Sequence, residues 1–108
     1  MLRTVCRSRS EGAVDLLVET MEIRLYAPWV HSLKEKRMIV QSLTTKLRNR
    51  FNVSVSEVAE QDVHTIVVLG VGCVSSSHRF NESVLEHVLQ FVEENTEAQI
   101  IGVEREIR

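Results

Sequence analysis

Two hydrophobic periods alternate along this chain in a fixed order, and that order narrows the fold more than any single motif. Val14–Ala27 sets Leu17, Met21, Ile23 and Leu25 on one face and Thr20, Glu22, Arg24 and Tyr26 on the other, the two-residue period of a half-buried strand. Pro28 ends it. Leu33–Arg50 then carries a 3.6-residue period, with Leu33, Ile39, Val40, Leu43 and Leu47 along one stripe. Phe51–Val58 alternates again, Phe51, Val53 and Val55 against Asn52, Ser54 and Ser56. After the polar break Glu60-Gln61-Asp62, Val63–Val74 is almost continuously apolar and β-branched, the mark of a central strand. The shortness of the break makes these two strands a hairpin. Ser75-Ser76-Ser77 offers caps for a second helix, with Phe80, Val84, Val88, Phe91 and Val92 on one face and Asn95 as its stop. Ala98–Val103 reads as a last strand before a charged tail, Glu104-Arg105-Glu106.

Strand–helix–strand thus occurs twice, joined by a hairpin. The βαββαβ order predicts an α+β, ferredoxin-like sandwich: a four-stranded antiparallel sheet with both helices on one face and the other face open. The chain of 108 residues allows one such domain, expected over residues 14–108. Residues 1–13 carry Arg3, Arg7 and Arg9 but no apolar h-region, so they are no secretory signal and read as a disordered N-terminal extension. No apolar run approaches the ~20 residues of a membrane span, and a cytoplasmic location away from membranes is expected. Two cysteines make no disulfide framework; Cys73, in an apolar run, reads as a buried small hydrophobe.

The first helix carries the most specific local signal. Ser32 and Glu35 have the spacing of a capping box, serine oxygen to the third N–H and glutamate back to the cap. Net charge is only −2, but it is unevenly spread. From His31 to Arg50 six cations stand against one acid, and from Glu82 to Arg108 seven acids against two arginines. On a helical wheel Lys34, Arg37, Gln41 and Arg48 fall within about 60° of one another, and Arg50 extends the charge to the helix end. Such a ridge can track phosphates or acidic side chains, although no aromatic flanks it in sequence to stack bases. His31, Ser32 and Lys36 at the helix start form a candidate anion site, because first-turn N–H groups favour anions. Lys36 is out of pattern: it falls within the apolar stripe and must either snorkel or point into a small site with His31.

The open sheet face is a weaker candidate. RNA-recognition modules stack bases on aromatics of their two central strands. Here Met21–Tyr26 supplies only Tyr26, beside Glu22, and Val63–Val74 supplies none. An apolar patch from Ile66 or Val68 would instead favour a homodimer. Gly70 and Gly72 within that strand predict a bulge or a close backbone approach, a place where a small ligand could sit. His64, His78 and His87 show no metal spacing. No nucleophile elbow and no Gly-rich phosphate loop is present. Ala27-Pro28-Trp29-Val30 lacks the arginine of an acylphosphatase anion loop. No catalytic residue, metal or cofactor is therefore expected.

His31–Arg37, Arg48–Val58, Gln61-Asp62, Leu69-Gly70-Val71 and Val103–Ile107 together resemble the YlxP-like family of small bacterial domains of unknown function. The resemblance runs from Val14 to the C terminus. It implies a ferredoxin-like fold and, because genes of the family often neighbour those for translation initiation and ribosome maturation, an association with translation. It implies no activity. Gly72-Cys73 and Ser75–His78 depart from the family pattern. The resulting expectation is a non-enzymatic module contacting ribosomal RNA or a translation-linked protein through its basic helix. The alternatives are a dimeric small-ligand sensor and a protein–protein adaptor.

Overall fold

Met21, Ile23 and Leu25 are buried and their neighbours Glu22 and Arg24 are not, as the alternation in the first strand demands. A computed structural model, describing residues 15–108, arranges the chain as β1 (Leu17–Tyr26), α1 (Leu33–Arg50), β2 (Ser54–Ala59), β3 (Ile66–Ser75), α2 (His78–Asn95) and β4 (Gln99–Ile107). The expected extension at residues 1–13, and Val14 at the expected domain boundary, lie outside the described residues.

The strands form one antiparallel sheet in the order β2-β3-β1-β4, the ferredoxin-like arrangement. Leu43 and Leu47 of α1 and Leu85, Val88 and Val92 of α2 share one buried cluster with Met21, Ile23 and Leu25 and with Val67, Leu69, Val71 and Cys73. Both helices therefore cover the same sheet face. Register places Thr20 opposite Gly72, Glu22 opposite Gly70 and Arg24 opposite Val68 on the other face.

Five details differ from the sequence expectation. β2 begins at Ser54 rather than Phe51, because Phe51 closes α1, its N–H donating to Leu47 O at 2.9 Å. β3 begins at Ile66 rather than Val63, because Val63 N–H donates to Glu60 O and Ile66 N–H to Val63 O, making successive turns. β4 continues to Ile107 through the charged residues read as a tail. It pairs Glu104 with Glu22, Glu106 with Thr20 and Ile107 with Glu19, and charge is what an edge strand tolerates. In α2, Phe80 is 58% exposed, and Leu85 rather than Phe80 sits in the core. The apolar patch expected on the open face is absent from Ile66 and Val68: Val68 is fully buried opposite Arg24, and Ile66 is half-buried.

A candidate nucleic-acid interface on the first helix

α1 starts where the sequence places it. Ser32 has extended backbone and its Oγ accepts from Glu35 N–H at 3.1 Å. Glu35 Oε2 in turn accepts from His31 N–H at 3.1 Å. Glu35 therefore reaches one residue past the cap, to His31 rather than to the N–H of Ser32 itself; the pair still satisfies two donors and adds a carboxylate at the positive end of the helix dipole. It also consumes the groups proposed for an anion: Ser32 and Glu35 are engaged with each other, and His31 is exposed outside the turn.

Lys36 does not join them. It is 1% exposed, and its Nζ donates to Glu60 O and Val63 O, each at 2.7 Å. It also lies 2.7 Å from Glu57 Oε2. That buried oxygen accepts no aligned hydrogen bond among the described residues, so its compensation is the ammonium charge itself. Glu60, at φ 56°, is the one non-glycine residue with left-handed backbone among the described residues. Lys36 thus spends its charge holding the β2–β3 loop, and the candidate anion site of His31, Ser32 and Lys36 does not converge.

The ridge is better preserved. Lys34, Arg37 and Gln41 are exposed on the outer face of α1. Neither cation has a carboxylate within ion-pair distance among the described residues, and the same holds for Lys46. Three cations of the sheet are neutralised: Arg105 by Glu86 at 2.6 Å, Arg108 by Glu106 at 2.9 Å and Arg24, more loosely, by Glu22 at 3.8 Å; Arg79 on α2 is exposed and, like Lys34 and Arg37, has no carboxylate within that distance among the described residues. Arg48 belongs to the ridge by position, but its Nη2 donates to Val55 O at 2.7 Å, tying α1 to β2. Arg50 lies over the rings of Phe51 and Phe91, 6.0 and 5.8 Å from their centroids, a partial commitment to cation–π contact.

Sequence reasoning missed the aromatic next to this helix. Trp29, in the loop before α1, is 40% exposed. It lines a groove of about 360 Å³ with Met38, Ser42 and Lys46 on α1 and with Asn95, Thr96 and Glu97 at the end of α2. Met38 could have signalled it: a methionine off the apolar stripe, and 64% exposed.

The two β3 glycines prove unlike each other. A bulge between Glu57 and Ala59 makes Val58 the extra residue of β2, and a Cβ on Gly70 would stand 2.7 Å from Val58 Cγ1. A Cβ on Gly72 would meet nothing within 4 Å. Gly72 floors a trough of about 460 Å³ whose walls include Thr20, Ser54 and Ser56 with Glu22, Glu104 and Arg108.

At the start of α2, Ser77 caps Phe80 N–H, and His78 Nδ1 lies 2.9 Å from Glu19 Oε1. Asn81, fully buried, takes Cys73 Sγ and Ser75 Oγ on its Oδ1 and donates to Leu17 O. Burial, and secondarily the Glu19 carboxylate, pushes the Cys73 thiol pKa up, which makes it a poor nucleophile. This cluster fastens α2 to β1 and β3. No group of three His, Cys, Asp or Glu among the described residues is placed to hold a metal, and no helix among them is long and apolar enough to cross a membrane.

Over 62 residues the chain is 42% identical to the "Uncharacterized protein YlxP" of Bacillus subtilis (strain 168), covering 57% of this chain and 67% of that protein. Among solved structures it is similar to the de novo designed protein Ferredog-Diesel at TM-score 0.43 and 12% identity, over 98% of each chain. The family described as "Protein of unknown function (DUF503)" matches residues 18–105, essentially from β1 through most of β4, and the chain belongs to that family.

Proposed function

We propose that this domain is a non-catalytic binding module that docks on the phosphate backbone of RNA across the outer face of α1. The supporting observation is charge left over on one helix face: Lys34 and Arg37 face solvent one turn apart without a carboxylate among the described residues, while Arg24, Arg105 and Arg108 on the sheet sit on acids. Lys34 and Arg37 lie one turn apart, about 4.5 Å along the axis, and Arg48 about 16 Å further on. A cationic ridge of that length spans several phosphates. The YlxP-like resemblance makes the RNA of the translation machinery the partner class to try first.

The test is a titration of structured RNA and of ribosomal subunits with the parent protein and with Lys34→Glu/Arg37→Glu, at two salt concentrations. Arg48 is left in place because it holds β2. Each lost phosphate contact lowers the slope of log affinity against log salt by about 0.7–0.9. The double variant should therefore lose nearly two units of slope and bind more weakly at low salt. Equal binding by the two proteins removes the reading. Capture of a protein that survives nuclease treatment favours an adaptor instead.

A second reading rests on Gly72, whose open floor nothing in the fold requires. A small polar ligand in that trough would raise the melting temperature of the parent and not that of Gly72→Val. A thermal-shift screen of nucleotides and amino acids that moves neither protein rules it out.

A further inference from the structure

We infer that the groove between α1 and the end of α2 holds one unpaired base of a single-stranded nucleic acid, stacked on Trp29. The inference rests on the RNA reading above and names what that surface would read.

Trp29 is held from below. Val30 N–H donates to Ala27 O at 3.2 Å, and both Ala27 and Val30 are buried. The turn therefore fixes the backbone while the indole stays 40% exposed. Met38 lines the same groove and is 64% exposed, so an apolar side chain from the loop before α1 and one from α1 itself border the groove in the open. A groove of about 360 Å³ has room for a planar base. Its chemistry is that of a stacking platform: an aromatic face, a polarisable thioether edge and a cation, Lys46, with no carboxylate partner among the described residues. Glu97 adds an acceptor on the rim, suited to an exocyclic amino group and useless to a uracil O4. At ~100° per residue, Met38 lies about 40° around the helix from Lys34 and about 100° from Arg37. A strand crossing α1 can thus keep its phosphates on Lys34 and Arg37 and drop a base toward Trp29.

Trp29 is the only tryptophan of the chain, so its emission reports on this groove alone. The experiment titrates the full-length protein with end-labelled oligoadenylate, oligouridylate and an abasic ribose-phosphate oligomer of equal length. Label anisotropy reports binding, and tryptophan emission reports stacking. Oligoadenylate should quench Trp29 in step with the anisotropy. The abasic oligomer should bind about tenfold more weakly, within the range of one base–aromatic stack, and leave the emission unchanged. Oligouridylate should fall between them. Trp29→Ala should bring oligoadenylate down to the abasic level, and Trp29→Phe should restore most of the difference. Anisotropy that rises while emission stays flat, or equal binding of oligoadenylate and abasic oligomer, overturns the base site and leaves backbone docking standing. No anisotropy change with any oligomer and with structured RNA overturns both. The quenching arm uses the parent protein, so the outcome stands even where a Trp29 variant folds poorly.

Discussion

Lys36→Met removes the ammonium and keeps most of the stem, so it isolates the charge that α1 sends into the β2–β3 loop. Three partners lose it together: Glu60 O and Val63 O, each 2.7 Å away, and the Glu57 carboxylate at the same distance. Each stranded carbonyl costs about 1–3 kcal/mol if water cannot reach it. Breaking a buried ion pair by removing one partner costs about 3–5 kcal/mol, because the other charge is left uncompensated. Glu57 retains 17% side-chain exposure and the loop is at the surface, so partial hydration offsets some of this. The expected loss is about 3 kcal/mol, against a total of about 5–15 kcal/mol for a domain of this kind. At about 4–8 °C per kcal/mol, the melting temperature should fall by at least about 12 °C. Urea denaturation should show a lower midpoint with an unchanged slope. Glu57→Gln should cost less, about 1–2 kcal/mol, because the two carbonyl bonds survive. In the double variant the two losses should fail to add by at least about 1 kcal/mol, since both act on one contact. Amide exchange at Val63 and Ile66, whose N–H groups close the loop turns, should accelerate in Lys36→Met beyond the global change. A Lys36→Met protein within about 1 kcal/mol of the parent, with those amides unchanged, would show that the ammonium is incidental to the loop.

Gly70→Ala should destabilise by about 1–3 kcal/mol, the usual range for overpacking, because its Cβ meets the stiff Val58 side chain; Gly72→Ala should be neutral or slightly stabilising, and adding Val58→Ala should relieve Gly70→Ala, all read by denaturant midpoints. Burial and Glu19 raise the Cys73 pKa in the fold, so the native thiol holds its proton more tightly than the unfolded one. That stabilisation is complete below the unfolded thiol's value of about 8.5 and is lost as pH rises through the native value. In a Cys6→Ser background, denaturation across alkaline pH should show this decline, Cys73→Ala should lack it, and alkylation of Cys73 should be slow until the protein unfolds.

The first helix was legible in the sequence nearly to the residue, because capping is a local device: Ser32, Glu35 and the entering backbone lie within one turn, and no distant group is needed to complete them. Its ridge was legible for the same reason, as angular position follows from residue spacing alone. The limits of β3 and β4 were not. Val63 looks like strand, but its carbonyl is taken by a lysine 27 residues earlier in the chain. Glu104-Arg105-Glu106 looks like a tail, but the free edge of β1 offers hydrogen bonds that outweigh low strand propensity. Of the candidate site, Lys34, Arg37 and Gln41 are exposed as their spacing implies, whereas Arg48 is engaged with Val55 O, and the groove that Trp29 shares with α1 is closed by residues at the end of α2, which no local pattern brings there.

Hydrophobic period by itself determined the order of elements, the faces that β1 and α1 bury and hence the sandwich, since burying apolar area is the dominant driving force and any other arrangement would leave those stripes in water. Only the tertiary structure decided how the charges are used. Helical spacing already set Lys36 on the apolar stripe and Lys34 on the ridge, but not what Lys36 would bind: it holds the carbonyls of a loop from inside, while Lys34 faces solvent. Coulombic and hydrogen-bond energies depend on which carbonyls and carboxylates come within about 3 Å and on how much water remains between them. Those are properties of residues brought together by folding, and no local pattern contains them.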